Sequence, residues 1–201
     1  VPMGDQVTCL DIGVGASCIY PILGVVEYGW QFIGSDVDPA SIASAQAIVD
    51  ANPVLEGKIE LRLQPNPKRI LTGVLEAEEQ LDLVICNPPF HASVEDAQRG
   101  TRRKVRNLSG QRMETPTLNF SGAQHELVYV GGEMEFIRRM VRQSKALATR
   151  CSWFSTLVSK GGNLRAVYGM LDQAHVARVE TSPLGTGNKV GRIVAWHYRA
   201  V

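Results

Sequence analysis

The sequence predicts a doubly wound α/β domain whose sheet is mostly parallel and ends in an antiparallel strand. Three observations carry this. Short apolar runs alternate with stretches of helical period in a βαβ rhythm along most of the 201 residues. The first run, Val7 to Ile12, is short, bounded by apolar residues and ends in Gly13, as a buried parallel strand does before a helix. The last two runs meet at Gly185-Thr186-Gly187, a turn with no room for a crossover helix, so they pair antiparallel.

Each element follows from local chemistry. Val7 to Ile12 is the first strand and Ser17 to Tyr28 the first helix. Gln31 to Ser35 is the second strand. Asp38-Pro39 then supplies an N-cap and a preformed first helical residue for a helix with Ile42, Ala45 and Val49 on its inner face, stopped by Pro53. Ile59, Leu61 and Leu63 alternate with polar residues, the pattern of a half-exposed third strand, and Leu81 to Cys86 is the fourth. From His91 to about Gly132 no period is sustained, which predicts a long loop or insertion over residues 91–132. Helical period returns over Glu133 to Leu147, where Phe136/Met140 and Ile137/Val141 form i, i+4 pairs opposite Arg138, Arg142 and Lys145. Cys151 to Val158 is a strand, Asn163 to Gln173 a helix, and Val176 to Thr181 and Arg192 to Tyr198 the terminal strands.

Composition bounds the function. With 21 basic and 20 acidic side chains the net charge is +1, and 44% hydrophobic residues are ample for a core, so bulk charge selects no partner. The longest uncharged stretch, Ile12 to Val26, is 15 residues, interrupted by glycines and Pro21, and too short to span a bilayer. No basic-then-apolar leader opens the chain, and Cys9, Cys18, Cys86 and Cys151 form no Cys-x-x-Cys pair, which predicts reduced, buried thiols and a cytoplasmic protein. The four histidines share no ligand-like spacing, so no metal is expected. The length predicts one domain, 1–201, as a monomer, and the start at Val1 so close to the first strand predicts a fragment without its native N-terminal segment.

In doubly wound sheets the ligand sits at the carboxyl ends of the strands, where strand order reverses. The first strand ends in Asp11-Ile12-Gly13-Val14-Gly15, and the second in Asp36, 21 residues past Gly15, the distance of a ribose-hydroxyl acceptor. A dinucleotide fingerprint needs a third glycine where this chain has Cys18. The pattern instead resembles the S-adenosylmethionine (SAM) site of class I (Rossmann-like) methyltransferases, in which the acid before the glycines lies beside the methionine part of the cofactor. Asp38 reads as the helix cap, not a ribose ligand.

The fourth strand ends in Asn87-Pro88-Pro89-Phe90, the most specific signal in the chain. Two prolines carry the backbone rigidly out of the sheet where substrate meets cofactor. A rigid turn accounts for Pro88 and Pro89 but not for the amide before them or the ring after them. An amino nitrogen conjugated to a ring is a poor nucleophile. Acceptors on its N–H groups, here the Asn87 side-chain carbonyl and the Pro88 backbone carbonyl, favour the pyramidal nitrogen that forms as a methyl group arrives. Phe90 supplies a stacking face for a flat substrate.

Together these motifs look like the amino-group methyltransferases. The wider blocks from Leu10 to Pro21, Asn87 to His91, Gly131 to Ile137 and Gly187 to Lys189 resemble the large-subunit (23S) ribosomal RNA adenine-N6 methyltransferases, and eukaryotic methyltransferase-like relatives that modify a spliceosomal RNA share these blocks. The resemblance implies a class I fold, SAM held by Asp11, Gly13, Gly15, Ser17 and Asp36, catalysis at Asn87, Pro88, Pro89 and Phe90, and an RNA substrate. It also implies a substrate-binding segment before the glycine motif, which is expected to fall outside residues 1–201, and an approach of Lys189 to substrate.

Arg99, Arg102, Arg103, Lys104, Arg106 and Arg112 crowd into a stretch with no acid, directly after the tetrapeptide. A polyanion bound there would present its base to Phe90, and the surrounding glycines and polar residues predict a loop that is mobile until RNA binds. Arg138, Arg139, Arg142 and Lys145 either extend this surface or form a solvated helix face. A glutamine methyltransferase of translation factors, a DNA adenine methyltransferase and a non-catalytic RNA-binding module are the alternatives. The first usually carries Tyr in place of Phe90 and has no use for the basic run, and the last has none for an intact Asn87-to-Phe90 segment.

Overall fold

The computed structural model describes residues 3–91, 128–186 and 189–198. β1 (Thr8–Ile12) is followed by α1 (Ile19–Leu23), which continues as a π-helical turn (Gly24–Tyr28), then β2 (Gln31–Asp36), α2 (Pro39–Asp50), a 3₁₀ turn (Pro53–Leu55), β3 (Ile59–Leu63) and β4 (Leu81–Cys86). The second half comprises α3 (Gly132–Ser144) with a 3₁₀ turn (Lys145–Leu147), β5 (Cys151–Val158), a 3₁₀ turn (Gly161–Asn163), α4 (Leu164–Gln173), β6 (Arg178–Thr186) and β7 (Lys189–His197). The strands form one sheet in the order β3-β2-β1-β4-β5-β7-β6, with β7 antiparallel to both its neighbours. This is the expected doubly wound sheet with its antiparallel terminal strand.

The central strands are apolar on both faces because each face carries its own core. Leu10, Ile12, Val84, Cys86, Phe154 and Trp196 pack against Ile137 and Met140 of α3 and Val167 and Leu171 of α4. Cys9 and Phe32 meet Ala45 and Val49 of α2 on the opposite face. Burying side chains of this size contributes about 1.5–3 kcal/mol each. One buried polar cluster is internally paired: Trp196 donates its indole N–H to Ser144 Oγ at 3.1 Å, and that hydroxyl lies 2.8 Å from Tyr198 Oη. All four cysteines are free and buried. Among the described residues, no helix is long and apolar enough to cross a membrane.

Asp38 caps α2 as expected, its carboxylate accepting from the Ala40 and Ser41 amides at 3.1 and 3.2 Å. Three expectations need correction. The first helix does not run from Ser17 to Tyr28: Cys18 takes a left-handed conformation (φ 51°), α1 starts after it, and the coil widens at Gly24, where a Cβ would collide with the Phe32 ring. The terminal strands are not Val176 to Thr181 and Arg192 to Tyr198: at their open end β6 starts later and β7 ends one residue earlier, but both run further toward the turn, pairing from Arg178↔His197 to Thr186↔Lys189, so Gly185 and Thr186 are strand residues. Lys189 is accordingly the first residue of β7, not part of a turn. The helices expected over Glu133 to Leu147 and Asn163 to Gln173 are present, with their last and first turns respectively tightened to 3₁₀. Of the insertion, His91 forms a parallel bridge to Val128. Arg99, Arg102, Arg103, Lys104, Arg106 and Arg112 lie outside the described residues.

Candidate active site

Sheet register assembles the site. Ile12 of β1 is level with Ser35 of β2 on one side and Cys86 of β4 on the other, so Gly13, Asp36 and Asn87 follow at the same level on three adjacent strand ends, about 5 Å apart strand to strand. The sheet winds outward in opposite directions from β1, and the crevice between β1 and β4 is its switch point.

The turn after β1 is tied to the end of β2. Gly13 and Val14 donate to Ser35 O at 2.8 and 3.0 Å, and Gly15 donates to Asp36 Oδ2 at 3.0 Å. Gly13 and Gly15 have φ of 74° and 63°, conformations an L side chain rarely takes, and a Cβ on Gly13 would point into open space. Asp36 is 8% exposed, and its other oxygen accepts from the Asp38 amide at 3.0 Å. One carboxylate thus sets the glycine turn and the entry to α2, and it faces the cleft.

Asp11 behaves differently. It is 1% exposed, and neither carboxylate oxygen meets a hydrogen-bond partner among the described residues. Burial, reinforced by the nearby Asp36 charge, pushes its pKa up to about 8. Burial and the Asp11 charge also push Cys18 up to about 12 and Cys86 well above the ordinary thiol value, so these thiols stay protonated and are not nucleophiles.

Beyond β4, Asn87 is exposed, Pro88 buried, and Pro89 and Phe90 half-buried. The chain next pairs with the segment leading into α3: Tyr129 donates to His91 O at 2.9 Å and Gly132 to Tyr129 O at 2.7 Å. Tyr129 meets Phe136 of α3 edge to face, ring centroids 5.1 Å apart. Glu133, in the first turn of α3, fixes this end of the helix by accepting from the Ser159 amide at 2.7 Å and from Asn163 Nδ2 at 2.8 Å.

One cleft, about 790 Å³ when the part open to solvent is counted, runs across these strand ends. Of the sequence-assigned residues, Gly13, Asp36, Asn87 and Pro89 line it together. Asp11, Gly15, Ser17, Pro88 and Phe90 are not among its lining residues; Asp11 is buried below the glycine turn, and Ser17 is exposed beyond it. Sequence reasoning missed Gln64, Pro67, Arg69 and Ile70 after β3, and Tyr129 and Phe136 on the opposite side. Tyr129, just before the Gly131-Gly132 pair, was the available signal; the segment after β3 offered none. No cluster of metal-ligating side chains occurs among the described residues.

Known proteins share this architecture. A family profile described as RNA methyltransferase matches residues 2–200. Ribosomal RNA large subunit methyltransferase F of Cytophaga hutchinsonii is 50% identical over 200 residues, covering 100% of this chain and 62% of that protein. The protein of the same name from Ectopseudomonas mendocina is 50% identical, covering 99% and 60%. The chain therefore spans about three-fifths of the length of these curated relatives. The catalytic domain of human METTL16 in complex with the MAT2A 3′UTR hairpin 1 superposes with a TM-score of 0.79 at 30% identity, covering 96% of this chain and 64% of that one. The N-terminal domain of human METTL16 in complex with SAH superposes with a TM-score of 0.72 at 26% identity, covering 96% and 62%. The fold is that of the class I methyltransferases, and with the profile spanning nearly every residue the chain belongs to the RNA methyltransferase family.

Proposed function

We propose that the chain transfers the methyl group of SAM to the exocyclic N6 of an adenine in structured RNA, specifically large-subunit ribosomal RNA. The observation that carries this reading is Asn87-Pro88-Pro89-Phe90 at the end of β4, with Asn87 opening into the same cleft as Gly13 and Asp36. The names of the curated relatives and the RNA bound to the METTL16 catalytic domain support it.

The residues fit the cofactor. Asp11 buries two carboxylate oxygens without donors, which suits the ammonium of a methionine moiety; Gly13 leaves open the space a side chain would fill; Asp36 offers acceptor oxygens to ribose hydroxyls. When bound, SAM supplies an electrophilic methyl sulfonium. The protein's part is to position and polarise. The Asn87 side-chain carbonyl and the Pro88 backbone carbonyl accept the two amino N–H groups as the nitrogen pyramidalises, stabilising charge that appears only in the transition state. Phe90 stacks on the extruded base, a contribution of about 1–3 kcal/mol. The proton leaves after transfer, so no general base is required. Arg99, Arg102, Arg103, Lys104, Arg106 and Arg112 bind the RNA backbone, with Lys189 near the substrate. The protein acts as a cytoplasmic monomer on a single-stranded or distorted site, since a paired adenine has N6 engaged and costs a few kcal/mol to extrude.

Incubation with labelled SAM and separate pools of ribosomal RNA, DNA and translation release factor tests the substrate class. Label in ribosomal RNA, recovered as N6-methyladenosine, is expected. Label in the release factor instead would show that the site accepts a glutamine amide.

A further inference from the structure

The wall of the cleft after β3 has no regular secondary structure, yet two side chains fasten it at close range. Gln64, itself buried, accepts from the Asn66 amide at 3.2 Å and donates to Thr72 O at 3.2 Å, while its backbone amide donates to Asp36 O at 2.8 Å. The second fastening comes from α3. Gln143 Oε1 accepts from the Ile70 and Leu71 amides at 2.8 and 2.9 Å and, longer, from Thr72 at 3.4 Å, and Gln143 Nε2 donates to Lys68 O at 2.8 Å. A single side chain, more than 70 residues away in sequence, supplies partners for four backbone groups of one turn.

That turn is a wall of the proposed cofactor site. Pro67, Arg69 and Ile70 line the cleft beside Asp36, whereas Asn87 and Pro89 line its other end. Because the reacting methyl must lie toward Asn87 and the ribose at Asp36, the adenine joined to that ribose extends toward β3 and this turn. We infer that Gln143 is a positioning residue for the cofactor: it holds residues 68–72 in the conformation that receives the adenine, without touching the ligand itself. This rests on the proposed use of SAM. The physical reason is preorganisation. A turn that must be ordered when ligand arrives subtracts its ordering cost from affinity, and a turn already ordered does not. The oxygen of Gln143 carries most of this, since it receives three of the four bonds.

Two near-isosteric variants separate the roles. Gln143→Glu keeps the acceptor for the three amides but sets an oxygen against Lys68 O in place of the donor, whereas Gln143→Met keeps the length and loses both functions. Calorimetric titration with SAM should show Gln143→Met binding about tenfold or more weakly than the wild type and Gln143→Glu falling between the two. kcat at saturating SAM should be unchanged in both, since neither touches the reacting atoms. Hydrogen exchange on the wild type gives an independent readout: the Ile70, Leu71 and Thr72 amides should already be protected before SAM is added. Equal SAM affinity in wild type and a folded Gln143→Met protein would overturn the assignment and leave the cofactor reading intact. Should Gln143→Met fail to fold, fast exchange of these amides in the SAM-free wild type would overturn it equally. Failure of the wild type to bind SAM would overturn the cofactor reading, and this assignment with it.

Discussion

Asp11 and Asn87 are the residues at which charge and chemistry are most open to test. Asp11 is neutral in the unliganded fold up to about pH 8 and ionised in the unfolded chain above about pH 4, so between these limits the native state holds a proton that the unfolded state has lost. Stability of the free protein therefore falls as pH rises through this window and levels off above it. Asp11→Asn should remove that slope: its thermal midpoint should match the wild type near pH 4 and exceed it by several degrees at pH 8, while SAM affinity drops, all measurable by calorimetry. Asp36→Ala should weaken SAM by roughly 10- to 100-fold, from a missing charged hydrogen bond worth about 1.5–3 kcal/mol. It also frees the Gly15 and Asp38 amides, so some of that loss belongs to the turn. At this scale the convergence of Gly13, Asp36 and Asn87 on one cleft was legible because motif spacing reports strand ends. The doubled use of Asp36 was not, because a side chain bonding to backbone from another element leaves no mark in either segment. Gln143 and Glu133 were hidden for the same reason.

At the scale of elements, period and punctuation located every strand, and the departures have local causes. Ser17 to Tyr28 reads as continuous helix, but Gly24 must lie against Phe32, an element away, and the coil widens there. Gly24→Ala should cost about 1–3 kcal/mol through overpacking, seen as a lower urea midpoint with an unchanged slope. Pro183 and Gly185 look like strand breakers, yet both sit in β6, because β6 is the edge of the sheet and its outer side needs no partner. The segment after β3 ends in another long-range tie: Arg62 grips both carboxylate oxygens of Glu79 at 2.6 and 2.7 Å and donates to Val74 O at 2.8 Å. These hydrogen bonds hold the Glu79 pKa below its ordinary value, so its contribution to stability is complete above the unfolded-state pKa and is lost as pH falls through the depressed one.

For the whole molecule, topology does the assembling: a sheet that reverses at β1 brings a turn, an acid and an amide from three strands to one cleft. Alternating apolar runs were enough to predict that sheet, since a strand buried on both faces has a distinctive composition. The basic residues between Arg99 and Arg112 belong to this scale too, because RNA spans more surface than one cleft. Neutralising Arg102, Arg103 and Lys104 should weaken RNA binding across sequences and flatten its slope against log salt by about 0.7 for each single-strand phosphate that is no longer neutralised. An unaltered slope would mark the run as a solvated surface. The central claim is N6 transfer at Asn87, and it is tested most directly by mass spectrometry of ribosomal RNA from cells lacking the protein, complemented with wild type or with Asn87→Ala. One N6-methyladenosine in the large-subunit RNA should vanish on deletion, return with the wild type, and stay absent or strongly reduced with Asn87→Ala, whose kcat should fall about 10²- to 10³-fold with SAM affinity kept. Unchanged N6-methyladenosine, with a methylated glutamine disappearing from a translation factor, would contradict it.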